Sequence, residues 1–210
     1  MSVEVITYQD WGRLGIAPSD VVVTVSRAEG WSRGLSPFFL GPCELWGGHV
    51  ARNVENAWQF SKAYLEHTKD GKPTAEWFRW AEAGWDATRA YRYPMGKGRK
   101  PEFSYWHGKC ISYVQARKWI YIPVYHDAVE KTEAWKDLYL MHDQFLKGGK
   151  TLYLVDFDAY QHKKLGMSYK DVVEDPNRKM GHAFVLSMML EEPERMEVAV
   201  AQAKKERSEP

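Results

Sequence analysis

The 210-residue sequence contains only two cysteines, Cys43 and Cys110, and no long apolar run. Two cysteines are too few for a disulfide framework, and a membrane-spanning helix needs about 20 consecutive apolar residues. The first ten residues also lack the charged and apolar segments of a secretion signal. We therefore expect a cytoplasmic protein in a reducing environment, without a membrane segment.

An excess of charge of one sign is absent as well. Lys and Arg together number 29 and Asp and Glu 28, which leaves a formal net charge of +1. This balance argues against a strongly basic nucleic-acid coat protein or a polyacidic tail. Aromatic residues are abundant, with 10 Trp and 12 Tyr. Large rings fill cores and also stack on bases and sugars, so we expect most in the core and a few in a pocket.

Apolar periodicity predicts several helices and a few short strands. Apolar runs at Val21–Val25 and Thr151–Val155 predict strands, and the segment 44–50 predicts a small hairpin. Helices are predicted over 53–67 and 74–85, from Ser112, over 133–146 and from Asp175–Pro176. The predicted fold is mainly α with a few short strands, in one compact domain over 1–193. A charged helix or tail over 194–210 follows it.

Standard catalytic motifs are missing from the sequence. It has no phosphate-binding P-loop and no G-x-S-x-G turn, and its seven histidines lack the spacing of a zinc site. We therefore expect neither a metal nor a cofactor.

The predicted helix 53–67 carries the first candidate site. Glu55, Gln59 and Lys62 lie at i, i+4 and i+7, so they form a polar stripe beside the apolar face. The edge of an apolar face is a common wall for a pocket. The alternative is an ordinary surface helix, in which Glu55 favours the helix dipole and Lys62 pairs with Glu66.

Two further candidates lie outside this helix. Asp156 and Asp158 follow a predicted strand, where carboxylates either face a cleft or form a turn with their own backbone. A basic loop with Lys97 and Arg99 precedes Trp106. That combination suits a phosphate with a stacked base, and it also suits an ordinary solvated loop.

Five segments occur in a fixed order between about residues 31 and 190. They read G-L-S-P-F at 34–38, E-L-W-G-G at 44–48, V-E-N-A-W-Q-F-S-K-A at 54–63, L-V-D at 154–156 and M-G-H-A-F-V-L-S-M-M at 180–189. Taken together, they resemble the NADAR (YbiA-like) superfamily. The resemblance implies a compact, mainly helical domain that acts as an N-glycosidase on ribosylaminopyrimidine phosphates or on ADP-ribosylated guanine. The chain departs from the family pattern at Pro37, where the family has Asn, and at Asn56, where it has His.

The resemblance also implies roles for individual residues. Glu55 and Lys62 fall on the functional Glu and Lys of the family, and Asp156 falls on its later Glu, so these three are the expected catalytic residues. The expected substrate-binding residues are Ser36, Phe38, Trp46, Trp58, Gln59, Lys97, Arg99, Trp106, Asp158 and His182.

Cleavage of an N-ribosidic bond needs a carboxylate near the anomeric carbon and an acid near the leaving base. Glu55 would stabilise the sugar cation or activate water, and Lys62 would protonate the leaving nitrogen or attack as an amine. The expected partner is a nucleotide or ADP-ribosyl compound, free or within a modified nucleic acid. The alternative is a non-catalytic nucleotide- or nucleic-acid-binding module that uses the basic aromatic loop 93–109. A third reading is a protein that docks a partner through aromatic surface residues.

Overall fold

The computed structural model describes residues 2–208. Its strands are β1 (Val3–Ile6), β2 (Val21–Val23), β3 (Cys43–Glu44), β4 (Val50–Ala51), β5 (Lys62–Ala63), β6 (Thr68–Lys69), β7 (Lys72–Pro73), β8 (Phe103–Trp106), β9 (Lys109–Ile111) and β10 (Leu152–Val155). Its α-helices are α1 (Tyr8–Leu14), α2 (Val54–Gln59), α3 (Ala75–Asp86), α4 (Tyr113–Ala116), α5 (Ile122–Val129), α6 (Glu133–Lys147), α7 (Tyr169–Glu174), α8 (His182–Glu191) and α9 (Pro193–Ser208). About 52% of the chain is helical and 14% is strand, so the protein is mainly α with a few strands.

The chain divides into two compact units. The first unit comprises the chain up to Phe39 together with Val129–Ala199, and the second comprises Leu40–Ala128 and the chain from Val200 onward. The single domain over 1–193 stays a prediction. The charged terminal segment expected from residue 194 forms helix α9, which begins at Pro193, a residue suited to the first turn of a helix.

A parallel sheet lies at the centre of the first unit. Its strand order is β1-β10-β2, and both pairings are parallel. Helix α8 packs against β1 and β10, and every residue from His182 to Leu190 is buried. A helix that is apolar on all sides belongs in a core, and α8 is accordingly the central helix of this unit.

The second unit is built from short antiparallel pairings and helices. Strands β5, β8 and β9 form one sheet, β3 pairs with β4, and β6 pairs with β7. Helix α2 contacts α3, β4 and a π-helical segment, Arg117–Tyr121, that joins α4 to α5. Packing between α2 and α3 is close: a Cβ atom on Gly84 would lie 1.9 Å from the ring of Phe60.

The last turns of α9 belong to this second unit. Trp119 donates its indole N–H to Glu206 at 3.0 Å, and Arg207 donates to the Trp119 carbonyl at 2.7 Å. The Arg207 guanidinium lies 4.7 Å from the centroid of the Trp106 ring. These contacts fix the end of the helix to the body of the unit.

The predicted helix over 53–67 is wrong beyond its first turns. Asn53 does cap α2, accepting the Asn56 N–H at 2.8 Å, but the helix ends at Gln59. Lys62 and Ala63 instead form β5, which pairs with β8. Non-local strand pairing has overridden a helical periodicity that the local sequence supports.

The helix predicted from Asp175–Pro176 is also wrong. Helix α7 ends at Glu174, and the Asp175 carboxylate accepts the N–H of Asn177 at 2.8 Å, which makes a turn. The following helix begins only at His182. An Asp-Pro pair suits a turn as well as a helix start, and here the turn is formed.

Other elements are confirmed. The predicted helices over 74–85 and 133–146 correspond to α3 and α6, and Ser112 caps α4. The runs at Val21–Val25 and Thr151–Val155 contain β2 and β10, and the hairpin is β3 with β4. No helix within residues 2–208 is both long enough and apolar enough to span a membrane.

Candidate functional site

A hydrogen-bonded chain of three side chains runs from α2 to β5 in the second unit. The side-chain Nε2 of Gln59 donates to the Glu55 carboxylate at 3.0 Å, and Lys62 Nζ donates to the side-chain Oε1 of Gln59 at 2.7 Å. Glu55 and Gln59 are buried, and Lys62 is half-buried. The structure therefore joins a buried acid to a half-buried amine through an amide.

Lys62 takes part in this hydrogen-bonded chain from strand β5 and not from helix α2. Had α2 continued, Lys62 would lie about 10 Å along the axis from Glu55, at about 1.5 Å per residue. Instead the chain turns after Gln59, the Ser61 hydroxyl donates to the Trp58 carbonyl at 2.9 Å, and Lys62 starts β5. The alternative for Lys62 was a surface ion pair with Glu66. Glu66 instead accepts two hydrogen bonds from Arg99, at 2.5 and 2.7 Å.

Aromatic rings lie beside the hydrogen-bonded side chains Glu55, Gln59 and Lys62. The Lys62 ammonium lies 4.5 Å from the centroid of the Trp58 ring, close enough for a cation–π contact. The Trp58 ring in turn lies 5.1 Å from that of Tyr121 and 6.1 Å from that of Tyr113. The face around Lys62 is thus suited to a flat ligand group.

Arg117 adds a buried cation to the same unit. It opens the π-helical segment, is 1% exposed, and donates to the Tyr113 hydroxyl at 3.1 Å. Segments of π-helix often occur at functional sites. Arg117 and Lys62 are thus two cations of the second unit that lie over aromatic rings, Arg117 over Tyr113 at 4.3 Å and Lys62 over Trp58 at 4.5 Å.

Asn56 holds a loop beside this site. Its amide nitrogen donates to the carbonyls of Ala87 and Arg89, at 3.0 and 2.9 Å, and its carbonyl oxygen accepts the Tyr91 N–H at 2.9 Å. Asn56 is fully buried. The residue that departs from the family pattern therefore fixes the chain after α3.

In the first unit, the carboxylate of Asp156 forms a buried pair with His182. His182 Nδ1 lies 3.0 Å from Asp156 Oδ2, and its Nε2 lies 2.8 Å from the Thr24 carbonyl oxygen. Both ring nitrogens therefore face oxygen acceptors, which suits the doubly protonated imidazolium. The pair joins the end of β10 to the start of α8 and to the residue that follows β2.

The Asp156 carboxylate is held in its charged form. Burial by itself raises its pKa, but His182 and the N–H groups of Ala183 and Phe157 lower it to about 2. These N–H donors lie at 3.2 and 2.6 Å. Gly181 is required beside it, because a Cβ there would lie 2.1 Å from Asp156 Oδ2.

The remaining predicted residues of the first unit lie at two places. Asp158 is half-buried next to this pair, 3.5 Å from Lys179 Nζ, and its carbonyl accepts the Gly181 N–H. Ser36 is buried, and its hydroxyl accepts the N–H of half-buried Phe38 at 3.4 Å. Their contacts are thus with neighbouring protein groups.

Trp46 lies in an aromatic cluster of the second unit. Its ring is 4.7 Å from that of His49, 5.5 Å from Tyr105 and 6.3 Å from His107, which stacks on it. Its indole nitrogen is buried and has no hydrogen-bond partner within residues 2–208. The cluster leaves that donor unused.

The basic loop is only partly available to a ligand. Lys97 and Arg99 are exposed, but Arg99 already pairs with Glu66 at 2.5 Å. Trp106 is 3% exposed and is covered by Arg207. For Trp106 to stack on a base, Arg207 would have to move away.

Sequence reasoning did not assign a site role to Arg117, Tyr113 or Tyr121. The sequence did hold one signal for Arg117, which lies close to the apolar residues Ala116 and Ile120. An arginine in such surroundings is expected to be buried, and a buried arginine needs partners.

Comparison of the chain with protein-family models, curated proteins and solved structures finds no match.

Proposed function

We propose that this protein hydrolyses the N-ribosidic bond of a ribosylated or ADP-ribosylated nucleobase compound, with Glu55 and Lys62 as the catalytic pair. The observation that carries the proposal is the buried hydrogen-bonded chain Glu55–Gln59–Lys62. The ordered resemblance to the NADAR superfamily supports the same pair.

In the proposed reaction, the Glu55 carboxylate takes a proton from water as the water oxygen bonds to the anomeric carbon. The bond from that carbon to the base nitrogen breaks, and the Lys62 ammonium donates a proton to the leaving nitrogen. Return of a proton from Glu55 to Lys62 restores the starting state. Gln59 keeps the two groups in register, because it accepts from one and donates to the other.

The surroundings suit the substrate proposed. Trp58 offers a ring face next to Lys62 for a base. Asp156 and His182, which bond to each other and to backbone groups, fit a positioning role within the first unit.

The proposal is tested by incubating the full chain with ADP-ribosylated guanine DNA, with free nucleotides and with a ribosylaminopyrimidine phosphate. Mass spectrometry then detects the released base and ribose product. We expect Glu55→Gln and Lys62→Met each to lower turnover by about 10²- to 10⁴-fold. Glu133→Gln and Lys136→Met are matched controls, because these two exposed residues pair with each other at the surface.

The non-catalytic alternative gives a different pattern. A binding module built on the basic loop would bind nucleic acid with a steep salt dependence and show no turnover. Arg99→Ala would then weaken binding more than Glu55→Gln. That result would contradict the hydrolase proposal.

A further inference from the structure

An open cleft of about 520 Å³ lies in the first unit. Glu55 and Lys62 belong to the second unit, so they are not part of this cleft. Its lining includes Tyr8, Arg27, Glu29, Trp31, Ser32 and Met141. Its volume is within the range of about 300 to 1,000 Å³ that small-molecule sites occupy.

The cleft follows the last strand of the parallel sheet. β2 is an edge strand, since its one neighbour within residues 2–208 is β10, and its three valines are among the residues that line the cleft. Tyr8 follows β1, and Arg27 and Trp31 come after β2, so these side chains lie beyond the carboxyl ends of parallel strands. In parallel sheets, ligands bind preferentially beyond the carboxyl ends of the strands.

The polar groups of the cleft have unused hydrogen-bonding capacity. Within residues 2–208, the Arg27 guanidinium has no ion pair, and the Tyr8 and Ser32 hydroxyls make no hydrogen bond. Arg27 acts electrostatically on Tyr8: burial raises the pKa of the Tyr8 hydroxyl most, and Arg27 lowers it. The guanidinium and the hydroxyl both line the cleft, where one ligand can contact both.

The rings of the cleft face solvent. Tyr8 is 39% and Trp31 40% exposed, although both are large and apolar. The Tyr8 ring is held in place by Phe157, at 5.7 Å between centroids, and by Trp11 at 6.4 Å. The Trp31 ring has no aromatic neighbour in the described part of the chain, and its exposed part is available to a flat group.

From these groups we propose that the cleft binds a small organic anion that carries a planar ring. Arg27 holds the carboxylate or phosphate, for which its planar fork of donors is suited. Trp31 and Tyr8 contact the ring, and the valines of β2 with Met141 cover its edge. Glu29 at the rim accepts an N–H or O–H of the ligand.

The experiment is isothermal titration of the full chain with two probes, indole-3-acetate for a carboxylate and adenosine 5′-monophosphate for a phosphate. We expect at least one probe to bind saturably, and the stronger one to identify the anionic group. Arg27→Gln and Trp31→Ala should each weaken that binding about tenfold or more. Arg79→Gln, an exposed arginine of α3 in the other unit, should leave it unchanged.

Lys62→Met separates this site from the proposed hydrolase site. If Lys62→Met abolishes binding while Arg27→Gln preserves it, the probe occupies the Glu55–Lys62 site and the proposal for the cleft is overturned. Absence of saturable binding by both probes overturns it as well. Neither result measures turnover, on which the hydrolase proposal depends, so the two proposals can fail separately.

Discussion

Replacement of Asp156 by Asn should be among the most destabilising single changes in the first unit. The side chain keeps its size but loses the charge that faces His182 at 3.0 Å. In the wild type, His182, Ala183 and Phe157 all donate to the Asp156 carboxylate. The side-chain NH₂ group of an asparagine is itself a donor, so it would face at least one of these donors. A buried cation and at least one buried donor are then left without an acceptor.

The size of the loss follows from two estimates. The gap between a folded pKa of about 2 and the ordinary 3.8 corresponds to about 2 kcal/mol of unfolding free energy at neutral pH. Breaking a buried ion pair by removing one partner costs about 3 to 5 kcal/mol in other proteins. We therefore expect Asp156→Asn to lower the unfolding free energy by about 2 to 5 kcal/mol at pH 7.

The pH dependence has a definite sign. The folded pKa of Asp156 is depressed, so its contribution is fully present above about pH 4 and is lost as the pH falls towards about 2. Urea unfolding followed by tryptophan fluorescence should show the wild type and Asp156→Asn converging over that range. Asp143→Asn is the control: this half-buried residue pairs with exposed Lys147 at the surface, and its replacement should cost about 0.5 kcal/mol or less. A loss below about 1 kcal/mol at pH 7, or a loss that is the same at pH 7 and pH 2.5, would refute the reasoning.

Two further predictions concern packing and loop order in the structure. Gly84→Ala should destabilise by about 1 to 3 kcal/mol, because the new Cβ overlaps the Phe60 ring, whereas Gly12→Ala in α1 has nothing within 4 Å and should be neutral or slightly stabilising in thermal unfolding. Equal melting temperatures for the two variants would contradict this packing. Asn56→Ala should remove three partly buried hydrogen bonds, cost about 2 to 4 kcal/mol, and speed hydrogen exchange at the Tyr91 amide. Unchanged exchange there would show that Asn56 does not hold the loop.

Local rules predicted the elements whose signals are local. Helices α3 and α6 have one apolar face, and Asn53 and Ser112 cap their helices through their own side chains. Strand β10 is an apolar run between turn residues. In these cases the residues that determine the element lie within it, so the sequence alone was sufficient.

The errors occurred where distant residues decide the structure. The periodicity over 53–67 is helical, but β8 forms hydrogen bonds with Lys62 and Ala63 from some 40 positions away, and this ends the helix. Asp175 satisfied a helix-start rule and formed a turn. Contacts of this kind depend on the whole fold and are not written in a local window.

The same distinction applies to the candidate site. The spacing of Glu55, Gln59 and Lys62 predicted that the three side chains share one stripe, and they do form one hydrogen-bonded chain. The geometry differs from the predicted one, because Lys62 belongs to a strand. The Asp156–His182 pair, the cover of Arg207 over Trp106 and the cleft at Arg27 depend on residues far apart in sequence, so no local pattern could predict them.

The most direct test of the central claim is turnover by Glu55→Gln compared with Glu133→Gln, measured by mass spectrometry on ADP-ribosylated guanine DNA and ribosylaminopyrimidine phosphate. The account predicts that the wild type and Glu133→Gln release the base at the same rate, and that Glu55→Gln is slower by about a hundredfold or more. Equal rates for Glu55→Gln and the wild type, or no release by the wild type from either substrate, would contradict it.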